Sequence, residues 1–250
     1  MSERIIAGVN TKGQTNRLGS VAMDEDRPHI VAMGANDIPA MGALERAAWT
    51  VPLQAAESTM AARAQLGHHF VGAWQKSELI ALACFVITRL DPFDAAAFPR
   101  TFAEFSTLPR SSPPLSGYVY NLCVHPLHRG EHVVRQIIET GIGILTTSGC
   151  RYLVGDGRCP SYAGTDGDER DPVKFNPAFR SIIDNWRLTG IKPPDDQIAL
   201  DPVLRFYKRA LGCDFVYLMP DFLPADAASG GHRVIFVKTL NPVAHDAARP

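Results

Sequence analysis

Gly117 to Val124 (GYVYNLCV) and Arg151 to Asp156 (RYLVGD) are apolar runs of strand length. Between them Val133, Val134, Ile137, Ile138, Gly141, Ile142, Ile144 and Leu145 fall at the spacing of one buried helix face. Two strands joined by such a helix form a βαβ unit, and its strands are expected to run parallel. The linking loop, VHPLHRGEHVV at Val124–Val134, therefore sits past the C-terminal end of a strand and at the start of a helix. The first turn of a helix presents unpaired N–H groups and a partial positive charge, which suits a phosphate. Arg129 adds a full charge, and Gly130 lets the backbone approach a ligand closely.

The remaining elements fall in order around this unit. Arg27–Met33 reads as a first strand, followed by Asn36-Asp37 as a cap with Pro39 in the first turn. Ile38–Trp49 and Ala56–Leu66 read as two helices, and His68–Trp74 and Glu78–Leu90 as an antiparallel hairpin. Helices are expected at Pro177–Leu188 and Asp201–Leu211, and strands at Asp214–Met219 and Arg233–Leu240. Two excursions interrupt the pattern, near 91–116 and 160–200. The first holds four phenylalanines (Phe93, Phe98, Phe102, Phe105), too many for a solvated linker, so it is expected to pack on the body. The expectation is a domain over 28–240 between a loose leader at 1–27 and a tail at 241–250.

Composition excludes several classes of function. Lys+Arg 25 against Asp+Glu 26 leaves a net charge of −1 and no basic run, so a nucleic-acid partner is not expected. The longest apolar stretch, Leu79–Ile87, falls well short of the ~20 residues that span a bilayer. The first residues lack a signal-peptide core, and a cytoplasmic protein with no membrane partner is expected. The cysteines, Cys84, Cys123, Cys150, Cys159 and Cys213, are odd in number and make no C-x-x-C pair, which argues for reduced thiols. Cys123, His125, His128 and His132 offer metal ligands, but Pro126 and Gly130 keep the chain a loop there. No metal is expected.

V-x-P-x-x-R-G between a strand and an apolar helix, after strand–helix–helix–strand–strand, resembles the GCN5-related N-acetyltransferases (GNATs). The resemblance implies an α/β (α+β) GNAT fold: a mixed sheet of about seven strands, a βαβ acyl-CoA-binding core and two insertions. The family's loop R/Q-x-x-G-x-G/A wraps the pyrophosphate of acetyl-CoA, the implied cosubstrate. It falls here on Arg129, Gly130, Glu131, His132, Val133 and Val134, with His132 and Val134 where the family has glycine or alanine. DPVLRFYKRALG at 201–212 is similar to the family's last helix. Gly157–Tyr162 (GRCPSY), the DPVL segment and Leu218–Pro224 (LMPDFLP) resemble the branch fused to carbon–nitrogen hydrolases in some bacterial proteins.

The resemblance implies N-acyl transfer to a small-molecule amine by direct attack in a ternary complex. Backbone groups of Leu122, Cys123 and Val124 would hold the acetyl carbonyl and pantetheine arm. Tyr207 would be the acid for the leaving thiolate, since a phenol of pKa ~10 lies near a thiol's ~8.5. Asp156, Tyr120 and His125 are open candidates for the base. Arg158, Tyr162 and Tyr118 would face the acceptor, Arg158 toward a carboxylate or else in a structural ion pair. A non-catalytic acyl-CoA-binding regulator and transfer of a larger acyl group remain alternatives, and a homodimer is compatible with the pattern.

Overall fold

The computed structural model describes residues 27–165 and 172–240. The expected leader, save Arg27, and the tail at 241–250 lie outside the described residues. The elements run β1 (His29–Met33), α1 (Ile38–Ala48), α2 (Glu57–Gln65), β2 (His69–Gln75), β3 (Glu78–Thr88) and α3 (Phe102–Ser106). There follow β4 (Ser116–Val124), α4 (Glu131–Thr147), β5 (Tyr152–Gly157), α5 (Pro177–Thr189), α6 (Asp195–Ile198), α7 (Pro202–Leu211), β6 (Asp214–Met219) and β7 (Arg233–Thr239). The seven strands form one sheet in the order β1-β2-β3-β4-β5-β7-β6. Among the described residues only the β4–β5 pair is parallel. This is the mixed sheet and parallel βαβ unit expected from the sequence.

Both faces of the sheet are covered, which explains why β3 is apolar almost throughout. Ile80, Ala83, Phe85 and Ile87 face one core with Ile137 and Leu145 of α4, Phe179 and Ile183 of α5, and Leu204 of α7. Leu79, Leu82, Cys84 and Val86 face the other with Met41 and Leu44 of α1, Met60 of α2, and Phe105. A strand buried on both sides loses the polar alternation of a half-exposed one. Helix α4 lies close to β4: a Cβ at Gly117 would fall 2.1 Å from Leu145 Cδ2, so glycine there permits the approach.

The first excursion packs on the body as expected. Phe105 is fully buried and stacks on Tyr118 with ring centroids 3.6 Å apart, and Phe98 meets Phe105 and Tyr217 edge-on. Phe93 stays exposed, at 59% of its surface. Asn176 caps α5 with its side chain, Asp201 caps α7, and Gly190 and Gly212 end those helices in the left-handed conformation (φ +70° and +65°).

Phe105→Ala should therefore destabilise the fold by about 3–5 kcal/mol in urea denaturation, as for a buried aromatic truncated in a packed core. A loss below about 1 kcal/mol would mean that the excursion is not part of the core.

Candidate active site

The site begins with a mismatch in the sheet. β4 pairs with β5 only from Ser116↔Tyr152 to Val119↔Gly155. Beyond that β4 continues to Val124 along β3, while β5 continues to Gly157 along β7. The two strands part at Tyr120. There β4 carries a bulge: Val119 stands opposite Phe85 and Asn121 opposite Cys84, so Tyr120 has no partner residue. A bulge bends its strand and re-aims side chains. Tyr118 and Tyr120 face the α1 side, and after the bulge it is Cys123, not Leu122, that does so. The gap opens into a cleft of about 740 Å³.

Past the Val124 end of β4 lies the expected phosphate loop. A short 3-10 turn at Pro126–His128 leads to Gly130, the N-cap of α4 (φ −178°, ψ 146°). Among the described residues no side chain caps α4, and a Cβ at Gly130 would meet nothing within 4 Å. Its first-turn N–H groups are therefore open to a ligand anion. Arg129, Gly130 and Val134 line the cleft, with Leu122, Cys123 and Val124 beside them. His132 instead borders a separate hollow with Arg27, Pro28 and Gln136, and Val133 packs toward the α4 core. The side chain that departs most from the family's loop thus points away from the cleft.

Tyr207 and Asp156 line the middle of the cleft. Tyr207 stacks on Phe236 at 4.1 Å between centroids, and burial pushes its phenol well above the usual range. It stays protonated at neutral pH, so its hydroxyl keeps a proton to donate. Asp156 accepts a hydrogen bond from Tyr118 Oη and pairs with Arg233 Nε at 3.2 Å. Burial raises its carboxyl to about 6, although Arg233 and Tyr118 both pull it down. A carboxylate poised there is suited to accept a proton near neutrality.

Asp156 is one end of a buried chain of alternating charge. Arg233 Nη1 reaches Asp226 at 2.7 Å, and Arg158 grips Asp226 with Nε at 2.8 Å and Nη2 at 2.9 Å. Burial opposes ionisation of Asp226, but the bonds from Arg158 and the charge of Arg233 outweigh it and hold its carboxyl well below the usual range. Two aspartates against two arginines make the chain neutral. Arg158 lines the cleft and lies 5.1 Å from the Trp49 ring centroid, yet its fork is engaged by Asp226. Of the two readings the sequence left open for Arg158, the internal ion pair is the one found.

Other expected residues fall elsewhere. Tyr118 is buried under Phe105 and does not line the cleft; its role is to position Asp156. Tyr162 is buried with its hydroxyl on Asp184 Oδ1 at 2.8 Å, also outside the cleft lining. His125 accepts from Leu127 N–H and faces Glu78 at 3.7 Å, away from the cleft. Tyr120 does line the cleft, but burial raises its phenol well above the usual range, which suits a donor and not a base. Its hydroxyl lies 2.9 Å from His68 Nδ1. The four-residue metal constellation is not assembled: Cys123 is buried beside Glu45, and Glu78 joins His125 and His128 instead.

Among the described residues the two excursions give the cleft Phe102 and Val173. Further lining comes from α1, α2 and their connection, with Glu45, Trp49, Leu53, Ala55 and Arg63. Glu45 is buried and accepts from Asn121 Nδ2 and from Ala55 N–H; burial raises its carboxyl despite those bonds. The sequence did carry a signal for two of these residues. Glu45 follows Met41 by four and Arg63 follows Met60 by three, so each charge rides on the buried face of its helix.

Solved structures share this architecture. The GphF GNAT-like decarboxylase in complex with isobutyryl-CoA matches with a TM-score of 0.63 at 20% identity, over 85% of this chain and 100% of that one. The loading GNATL domain of CurA from Lyngbya majuscula matches at 0.65 and 14% identity, over 86% and 98%. The ribosomal-protein-S18-alanine N-acetyltransferase from Escherichia coli matches at 0.51 and 12%, over 89% and 100%. No protein-family model matches the chain, and no curated protein does. The fold is that of the GNAT superfamily. Among the described residues no helix is long and apolar enough to cross a membrane.

Because the Tyr118 hydrogen bond lowers the Asp156 pKa, Tyr118→Phe should move it further up from about 6. Carboxyl carbon NMR titration reads the shift directly. An unchanged or lower value would separate Tyr118 from the site.

Proposed function

We propose that the protein is an acyl-CoA-dependent acyltransferase that passes an acetyl or similar acyl group to the amine of a small molecule. The observation that carries this reading is the parting of β4 from β5 beside an uncapped helix N-terminus. A strand edge freed from its neighbour pairs with an extended, amide-bearing arm. The helix start with Arg129 receives a diphosphate. An acyl-CoA carries both groups.

The chemistry then follows from residues along the cleft. The amine attacks the thioester carbon, giving its proton to the Asp156 carboxylate. A backbone N–H of Leu122–Val124 stabilises the oxyanion. As the new C–N bond forms and the C–S bond breaks, Tyr207 supplies the proton that the leaving thiolate takes up. Acetyl as the acyl group, an amine as the acceptor, a cytoplasmic setting and a homodimer all belong to this proposal.

Within it we also assign the chain to the branch fused elsewhere to carbon–nitrogen hydrolases. The first two of its signature segments are joined by Ser161 N–H on Asp201 Oδ2 at 2.8 Å, and all three give residues to the cleft lining, Arg158, Pro202 and Leu223.

Calorimetry with CoA and acetyl-CoA tests the reading. Both should bind, and Arg129→Ala should weaken CoA by ~1.5–3 kcal/mol, the size of a charge-assisted hydrogen bond. No binding of either would discard it. With an acceptor in hand, kcat/KM should be level above the Asp156 pKa of about 6 and fall below it as the base is protonated. Asp156→Asn should remove that limb; a limb that persists in Asp156→Asn would move the base elsewhere.

A further inference from the structure

Arg63 is 94% buried, being only 6% exposed, and its guanidinium lines the cleft. Among the described residues no carboxylate comes within ion-pair distance of it, and its Nε has no hydrogen-bond partner. Two aromatic rings lie beside it instead, with the Tyr120 centroid 4.8 Å and the Phe102 centroid 5.8 Å from its Cζ. Glu45 feels the charge of Arg63, but its two oxygens accept from Asn121 and Ala55 and make no ion pair with it. The other arginines bordering this end are already neutralised: Arg158 and Arg233 share Asp226, and Arg233 also holds Asp156.

A buried guanidinium without a counter-ion is costly, whereas an anion delivered to it satisfies both charge and donors. The two rings pack against the guanidinium, and the donors they do not cover belong to a side chain that lines the cleft. A planar, bidentate acceptor matches a guanidinium fork, and a carboxylate is such a group. Its place is also distinct from the diphosphate's. Tyr120 and Val124 are four residues apart on β4, about 13 Å at strand rise, so Arg63 and Arg129 serve different parts of one bound pair.

We infer that Arg63 is a carboxylate receptor, and that one of the two molecules meeting in this cleft carries a carboxylate remote from the reacting carbon or nitrogen. The inference rests on the acyl-transfer reading and narrows its substrate class. The carboxylate belongs either to the acyl group of the donor or to an amino-acid-like acceptor. The sequence pointed to Arg158 for this role; Asp226 occupies Arg158 and leaves Arg63 for it.

Matched pairs that differ in one charge test the inference. Calorimetry of malonyl-CoA against acetyl-CoA puts the carboxylate on the donor. With CoA saturating, L-amino acids against their primary amides put it on the acceptor. In one arm the carboxylate member should bind roughly 10- to 100-fold tighter. Arg63→Gln should erase that margin while binding CoA as the wild type does. No margin in either arm, or one that survives in Arg63→Gln, overturns the inference. If CoA itself does not bind, the acyl-transfer reading fails separately, and thermal shift with malonate against malonamide then decides Arg63. A rise with malonate alone that Arg63→Gln loses supports the receptor, and equal responses overturn it. Should Arg63→Gln not fold, Arg63→Lys keeps the charge and loses the fork, so the margin should shrink; an unchanged margin again counts against it.

Discussion

The site depends on one unsatisfied strand edge. Where β4 leaves β5 after Val119, the backbone from Asn121 to Val124 keeps its β3 partner and loses the one on its other side, and Tyr120, in the bulge, is opposed by neither strand. Backbone N–H and C=O groups facing an enclosed space demand partners. A sheet interior would ordinarily supply them from the next strand. Here the bulge at Tyr120 and the antiparallel pull of β7 on β5 separate the strands, and a ligand with its own amides is the natural replacement.

The rest of the site is arranged along that edge. At one end the uncapped start of α4 and Arg129 favour negative charge. In the middle, burial raises both Asp156 and Tyr207: the carboxyl to about 6, near neutrality, and the phenol well above its usual range. At the other end Arg63 lies beside Tyr120, with no ion pair among the described residues and its Nε without a hydrogen-bond partner. The neutral chain Asp156–Arg233–Asp226–Arg158 ties β5 to β7 and the loop before it, so its charges hold geometry and leave none spare.

Much of the frame was legible in the sequence because local pattern determines it. The period-3.6 face of α4 and the apolar runs of β3, β4 and β5 identified the βαβ unit, and the position of Gly130 identified the loop that opens it. What was not legible depends on contacts between distant residues. Nothing local shows that Tyr120 is unopposed by β3, because register is a property of two strands. Asp226 lies 68 residues from Arg158 and deprives it of the freedom that its place after β5 suggested. Tyr118 looked accessible on a strand beside the cleft until Phe105, from the excursion, covered it. His132 stands where the family has glycine or alanine, but the phase of α4 turns it toward Gln136. Glu45 and Arg63 were readable as charges on buried helix faces, a pattern easily passed over in segments of ordinary amphipathic composition.

Amide hydrogen exchange with and without CoA probes the freed edge itself. Exchange should slow at the β5-facing amides of residues 120–124 and in the first turn of α4, together and in proportion to CoA occupancy. Binding that protects other parts of the chain while these amides exchange at their ligand-free rates would contradict the account.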